Sequence, residues 1–241
     1  MGDGGSEVMA WQVAEETPVA VLLNGENFAV MMLTPADIED FAIGFALTEG
    51  IVRTVAEIES LRIGEAADGL IANLSVAPAR LAAVQDRRRT LAGRAGCGIC
   101  GAQPRRVMGE VPSFDALTRA FAALPGAQEM NRANHTTHAA AFCSLAGDIL
   151  VLREDIGRHN ALDKLAGALA REGRDASAGF VLLSSRVSVE MVQKAAAIAA
   201  PALAAVSAPS ALALRVAGQA GMTVFARTPA GVMMFPPGSE Q

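Results

Sequence analysis

Apolar residues in the first hundred positions come in paired runs, whereas beyond Ser113 short continuous runs alternate with helical stripes. Residues 19–32, VAVLLNGENFAVMM, are two apolar runs on either side of Asn24-Gly25. Asn-Gly favours a two-residue hairpin turn because both residues tolerate positive φ, so two antiparallel strands are expected. Thr34-Pro35-Ala36-Asp37 comes next. A threonine N-cap with proline at the first helical position predicts a helix start. Ile38, Phe41, Ala42, Phe45 and Ala46 then recur at the spacing of an amphipathic helix. Residues 69–76 (GLIANLSV) predict a strand, and Pro78 to Arg89 a helix ending in Arg87-Arg88-Arg89. Arginines in a last turn complement the negative end of the helix dipole, and a solvated cap is their first reading.

In the second half a helix over Phe114–Leu124 precedes strands at His138–Cys143 and Asp148–Leu152. A helix from about Gly157 to Arg171, a strand at Phe180–Leu183 and a helix at Val189–Ala200 follow. The strand Ala202–Val206, the helix Ser210–Ala220 and short strands at Met222–Ala226 and Gly231–Phe235 complete the pattern. Strands alternating with helices predict an α/β layer with a largely parallel sheet. The expected organisation is an α+β N-terminal part over residues 1–92, a mobile loop over 93–106 and a three-layer α/β domain over 107–241.

Composition narrows the function classes. The 241 residues are 51% hydrophobic, enough for one large domain or two small ones. The net charge of −5 excludes a chain-wide basic surface for nucleic acid. An anionic ligand therefore needs a local basic cluster. The first thirty residues carry Asp3, Glu7, Glu15 and Glu16, and no basic residue precedes a long apolar core, so no signal peptide is expected. The Ala-rich run from Ala195 to Leu214 is interrupted by Pro201 and Pro209 and contains Ser207 and Ser210. Alanine inserts poorly, and the run is expected to be helix, buried strand and helix rather than a membrane span. These features predict a cytoplasmic, soluble chain.

The candidate chemistry begins at GRAGCGICGAQPRR, residues 93–106. Gly93, Gly96, Gly98 and Gly101 frame Cys97 and Cys100, too costly in backbone entropy for a helix or strand interior. Arg94, Arg105 and Arg106 flank the cysteines, and no acidic residue lies between Asp86 and Glu110. Nearby cations favour the thiolate, the reactive form of cysteine. An exposed thiolate on a mobile loop suits a carrier that visits a donor and then an acceptor. Two other readings use the same residues. Cys143 and His138 could complete a zinc site, but one C-x-x-C with one distant cysteine is an incomplete set, and no structural metal is expected. A dithiol redox centre usually places its first cysteine at a helix N-terminus, for which Gly-Ile is poor material. An odd total of three cysteines argues against a disulfide framework. Cys143 is expected in the core, as are Met31, Met32, Met233 and Met234.

Two further groups are noteworthy. Gly157-Arg158-His159-Asn160 sits where a strand feeds a helix, with Lys164 one to two turns on. Free N–H groups and the Arg158 fork suit a phosphate or an incoming sulfur. The alternative is that Asp155 caps the helix and His159 packs on a neighbouring strand. Ser184-Ser185-Arg186, with Glu190 and Gln193, falls at the carboxyl edge expected to bind ligands in an open α/β sheet. Capping by Ser188 with an exposed Glu190 is the equal alternative. No His-x-Glu or Pro-Cys-x-x-Cys pattern of a zinc deaminase is present.

Arg153-Glu154-Asp155-Ile156-Gly157-Arg158-His159-Asn160-Ala161-Leu162-Asp163-Lys164, with CGICG upstream, resembles the formate dehydrogenase accessory sulfurtransferase family, FdhD. The resemblance runs from about Pro18 to Phe235. It takes in residues 32–52, THAAAF at 137–142, SSRVSVEMVQKAA at 184–196 and SAPSALAL at 207–214. It implies a sulfurtransferase that receives sulfur from a cysteine desulfurase as a persulfide on Cys97, with Cys100 as companion. The acceptor it implies is the molybdenum (or tungsten) bis(molybdopterin guanine dinucleotide) cofactor destined for formate dehydrogenase. It also implies a homodimer, a C-terminal domain resembling the cytidine deaminase fold, and cofactor contacts at Phe225, Ala226, Arg227, Thr228, Pro229 and Ala230. The chain departs from the family pattern at Asn134-His135-Thr136-Thr137, where a glycine-rich step is usual, and beyond Ala226.

Overall fold

The computed structural model describes residues 12–84 and 104–238. Strand β1 (Thr17–Leu23) and strand β2 (Glu26–Leu33) form the expected hairpin, with Asn24 at φ 51° and Gly25 at φ 85° in its turn. The Asn24 side chain fixes that turn to the next hairpin. Its Nδ2 donates to the Val76 carbonyl at 2.9 Å and its Oδ1 accepts from the Val76 N–H at 2.8 Å. Strands β3 (Ile58–Ala66) and β4 (Gly69–Val76) make this second hairpin, and β1 pairs with β4 in parallel, giving the order β2-β1-β4-β3. Strand β3 was not expected from sequence. It lies at a sheet edge and leaves most of IESLRIGEA exposed, so it carries little apolar periodicity.

Helix α1 (Ile38–Thr48) starts later than its local signals predict. Asp37, at φ 54°, is the N-cap and makes no side-chain cap bond. Thr34 is engaged elsewhere: its hydroxyl accepts from the Ile156 N–H at 3.0 Å and its N–H donates to Asp155 Oδ2 at 2.9 Å. A tertiary partner has displaced the local cap. The predicted stripe packs under the sheet, where Phe41, Ala42, Phe45 and Ala46 join Val19, Val21, Leu23, Leu33 and Leu74. Ile38 is only partly buried. A helix α2 begins at residue 78 and is described to residue 84.

The second sheet has six strands: β5 (His138–Ser144), β6 (Ile149–Asp155), β7 (Gly179–Leu183), β8 (Ala202–Ala205), β9 (Thr223–Thr228) and β10 (Gly231–Phe235). Their order is β10-β9-β8-β7-β5-β6. The expectation of a largely parallel sheet needs correction. Only β7, β8 and β9 are parallel neighbours, while β5 is antiparallel to both β6 and β7, and β10 to β9. Short turns enforce this, since a tight connection can join only antiparallel strands. The β5–β6 turn closes through the Ser144 N–H donating to the Asp148 carbonyl at 2.9 Å.

Helices cover both faces of this sheet. Leu117, Phe121 and Leu124 of α3 (Phe114–Ala127) meet Ala139, Ala141, Cys143, Phe180, Leu182 and Phe225 on one face. On the other, Phe142, Val181, Leu183, Leu203 and Val224 meet α5 (Arg158–Arg171), α6 (Val189–Ala197) and α7 (Ala211–Ala220). Alternate strand residues thus serve opposite faces, as a pleated sheet requires. A short helix α4 (Glu129–Asn134), also unexpected, follows α3. Three of the four methionines expected as core filler are exposed on edge strands: Met32 is 46% exposed, Met233 52% and Met234 45%. An edge strand offers its side chains no neighbour on one side, whatever their hydropathy.

Helix α1 joins the two sheets. Beyond its sheet-facing stripe it buries Asp40, Ile43 and Gly44 against α5. The approach is close enough that a Cβ on Gly44 would lie 1.7 Å from the Asp163 carbonyl oxygen, and one on Gly167 would lie 1.8 Å from that of Asp40. Gly44→Ala is therefore expected to destabilise the fold by at least about 2 kcal/mol, measured by denaturant unfolding, because backbone on both helices must separate. Gly126→Ala, in α3 where nothing stands within 4 Å of the added Cβ, is the matched control. It should be neutral or stabilising by up to about 1 kcal/mol.

Candidate functional site

Strands β6, β7, β8 and β9 all run in one direction, because β5 is antiparallel to both β6 and β7. Their carboxyl ends therefore share one edge of the sheet. A cavity of about 420 Å³ opens there on the α3 side. Its walls are Phe121, Leu124 and Pro125 of α3, Gln128, Asn131, Arg132 and His135 of the α4 region, Thr137 and His138 at the start of β5, and Ser184, Val206 and Arg227 at strand ends. This is where ligands of open α/β sheets bind.

The wall formed by α4 is held from below. Glu154, 5% exposed, accepts from the Met130 and Asn131 N–H groups, each at 2.8 Å, and from the Thr137 hydroxyl at 3.2 Å. A carboxylate on the free N–H groups of a helix start complements the dipole. His135 closes α4 in the left-handed region at φ 52°. Ser184 Oγ accepts from the Ala139 N–H at 2.7 Å, fixing the β7 end of the cavity.

The electrostatics favour an anion. Arg132 and Arg227 are exposed on the rim, and neither pairs with a carboxylate among the described residues. The His138 pKa is lowered by burial and by the Arg158 guanidinium, against an opposing pull from Asp155. His159 is lowered by burial, then by Arg158 and Lys194, with Glu190 and Glu49 opposing. Both imidazoles are neutral at pH 7, able to donate or accept one hydrogen bond.

The segment Arg153–Lys164 turns out to be chiefly a structural tie. Lys164 is fully buried, with Nζ 2.7 Å from Asp155 Oδ2 and donating to the Thr34 carbonyl at 3.0 Å. It is not available to a phosphate, so that expectation is corrected. Asp155 Oδ1 accepts from the Gly157 N–H at 2.8 Å and Asn160 Nδ2 at 3.0 Å, so the aspartate does organise the start of α5. Asn160 Nδ2 also reaches the Met32 carbonyl at 2.8 Å. Arg158 and His159 are half-buried near the sheet edge, as are Arg153, Ile156 and Gly157 of the same segment. Ser188 occupies the N-cap of α6 but makes no side-chain cap bond, so the capping alternative is met in position only.

The six carried-over cofactor residues separate in space. Phe225 is buried, edge-on to Phe114 with ring centroids 6.3 Å apart, and Ala226 is buried beside it. Arg227 alone lines the cavity. Thr228, Pro229 and Ala230 form the β9–β10 turn, where the Thr228 hydroxyl donates to the Gly231 carbonyl at 2.8 Å. Cys97 and Cys100 lie outside the described residues. Sequence reasoning missed Gln128, Asn131 and Arg132 because the α3 pattern was ended at Leu124, whereas α3 runs through Pro125 to Ala127.

With this geometry established, comparison with known proteins is decisive. The FdhD/NarQ family model matches residues 14–234. The chain belongs to the FdhD/NarQ family. A sulfur carrier protein FdhD of Cupriavidus necator is 48% identical, aligned over 94% of this chain and 82% of its own length. One from Xanthomonas euvesicatoria is 45% identical over 93% of this chain and 84% of its own. A crystal structure from Desulfotalea psychrophila, provisionally assigned to a formate dehydrogenase accessory protein, shares the fold with a TM-score of 0.76. It does so at 24% identity, over 98% of this chain and 93% of that one.

Within this FdhD/NarQ chain Cys143 is fully buried in the α3-facing core, as expected. It stands five positions from His138 along β5, about 17 Å at strand rise and on the opposite face, so the two cannot share one metal ion. Burial, then the Asp148 charge, pushes its thiol pKa up to about 12. The thiolate is therefore scarce at neutral pH. A Cys97→Ala/Cys100→Ala double variant should accordingly give no reaction with a thiol-specific disulfide reagent while native at pH 8. It should give one equivalent once unfolded in guanidinium. A fast native reaction would mean that Cys143 is accessible.

Proposed function

We propose that this chain is a sulfurtransferase that carries a persulfide on Cys97 and delivers the sulfur to a guanine-dinucleotide molybdenum cofactor used by formate dehydrogenase. The observation that carries the reading is the cavity at the strand ends, with Arg227 on its rim, in a chain of the FdhD/NarQ family. The relatives' name, sulfur carrier protein, supports the same activity. With Cys143 buried and neutral, the carrying thiol is drawn from Cys97 and Cys100.

The chemistry is thiol exchange followed by delivery. The Cys97 thiolate attacks the outer sulfur of a persulfide on a cysteine desulfurase. The sulfur–sulfur bond of the donor breaks, the desulfurase cysteine leaves as a thiolate, and Cys97 now bears the persulfide. No net oxidation occurs. Delivery to the cofactor held at the cavity needs a second thiolate: Cys100, or a cellular thiol, attacks the Cys97 sulfur and expels the outer sulfur as hydrosulfide. Formation of the disulfide on Cys97 supplies the two electrons, and that disulfide is then reduced by a cellular thiol.

The cofactor is the substrate, and the cavity suits one nucleoside end of it. Arg227 meets the diphosphate with a planar fork, the geometry that favours bidentate contact. The net charge of −5 makes such local cations necessary. A cytoplasmic homodimer, and a likeness of the C-terminal domain to cytidine deaminases, belong to this reading. The layering of α3, the six-stranded sheet and α5–α7 supports the second of these. Among the described residues no helix is long and apolar enough to cross a membrane.

Two outcomes test the proposal. After incubation with desulfurase and cysteine, the wild-type loop peptide should gain about 32 Da, one sulfur atom. Cys97→Ala should gain none and should leave formate dehydrogenase inactive although the variant is folded. Normal activation by Cys97→Ala would instead leave a cofactor-binding chaperone, with transfer of labelled sulfur as the deciding assay. Arg227→Ala removes one charge-assisted contact worth about 1.5–3 kcal/mol, so GDP binding by calorimetry should weaken by about 10- to 150-fold. Persulfide loading should continue, because donor and acceptor use different surfaces. Unchanged GDP affinity would remove the strand-end cavity from the mechanism.

A further inference from the structure

Gln128 is an anomaly in the wall of the cavity. It sits at the junction of α3 and α4 and is 5% exposed. Its backbone is fully used, the N–H donating to the Leu124 carbonyl at 3.2 Å and the carbonyl accepting from the Arg132 N–H at 3.0 Å. Among the described residues its side-chain Nε2 has no hydrogen-bond partner. Buried amide donors in folded proteins are nearly always satisfied, and one left open calls for a ligand that accepts. Its neighbours show no such deficit, since Glu154 satisfies the first N–H groups of α4 and Ser184 takes the Ala139 N–H.

The rest of the wall indicates what kind of acceptor arrives. Phe121, Leu124 and Pro125 line it from α3 and Val206 from the end of β8, apolar surfaces suited to the faces of a flat ring. Arg132 and Arg227 stand at the rim, where a phosphate-bearing tail meets solvent. A planar base with an anionic tail therefore fits, base inward. Guanine presents a carbonyl oxygen at its 6-position, whereas adenine presents an amino group, a donor, at the same place. An amide N–H facing that position donates to the first and meets another donor in the second.

We infer that Gln128 is a specificity-determining residue: its Nε2 donates to the 6-oxo group of the purine and selects guanine over adenine nucleotides. This rests on the reading of the cavity as the nucleotide end of the cofactor site and adds to it the group that distinguishes one purine from another.

Calorimetry on the full chain with GDP, IDP and ADP tests it, because IDP keeps the 6-oxo group and lacks the 2-amino group. Wild type should bind GDP and IDP at least about tenfold more tightly than ADP. Gln128→Leu should bind GDP and IDP at least about tenfold more weakly and ADP no more weakly, so that the preference collapses. Its Tm should not fall, since the change removes a donor that had no partner. Gln128→Met, close in shape and equally apolar, repeats the measurement should the leucine variant fold poorly. If wild type prefers GDP and both variants keep that preference, Gln128 is not the selector and the inference is overturned while the cavity assignment stands. Equal binding of GDP and ADP by wild type overturns it as well. Absence of any GDP binding by wild type overturns both the inference and the cavity assignment.

Discussion

The crossing of α1 and α5 is the contact on which the rest of the molecule depends. At Gly44 and Gly167 the two backbones touch where any side chain would collide, with would-be Cβ atoms under 2 Å from carbonyl oxygens. That distance leaves the N-terminal sheet one position relative to the C-terminal one. It also buries charge. Asp40, 2% exposed, must then be matched, and it is, by Arg153 Nε at 2.8 Å and Arg171 Nη1 at 2.7 Å. At the far end of the crossing Lys194 donates to Asp163 at 2.9 Å and to Glu49 at 2.8 Å. Burial works against the Lys194 charge, but Asp163 and then Glu49 outweigh it and hold it as an ammonium.

Buried charges of this kind add little net stability when intact, because desolvation offsets attraction. Breaking one, however, typically costs about 3–5 kcal/mol, since the remaining charge is left unpaired. Their effect here is on arrangement. Asp155, Lys164 and Asn160 tie the start of α5 to Thr34 and the Met32 carbonyl, across more than a hundred residues of sequence. Glu154, next along the same strand, turns the other way and holds α4. One short run of chain thus anchors the N-terminal part on one side and shapes the cavity wall on the other.

The site inherits its properties from that frame. Neutral histidines, rim arginines and a buried unpaired amide face one end of the sheet, where parallel strands bring distant residues together. The thiol inside the sheet is kept inert by the same apolar packing that stabilises it.

Local patterns in the sequence determined much of this. Asn24-Gly25 specified its hairpin and the 3.6-residue stripe of α1 its buried face, since each depends on residues only a few positions apart. The family membership was equally legible, because it is carried by contiguous residues. What the sequence left undecided was settled by contacts between distant positions. Thr34 had a good local cap to make and made a bond to Ile156 instead. Lys164, in a motif suggestive of phosphate, was consumed by Asp155. Strand β3 and helix α4 carry almost no apolar period and exist because β4 and Glu154 offer partners. Gln128 looks unremarkable in a string of letters; only burial without a partner gives it significance, and burial is a property of the packed chain.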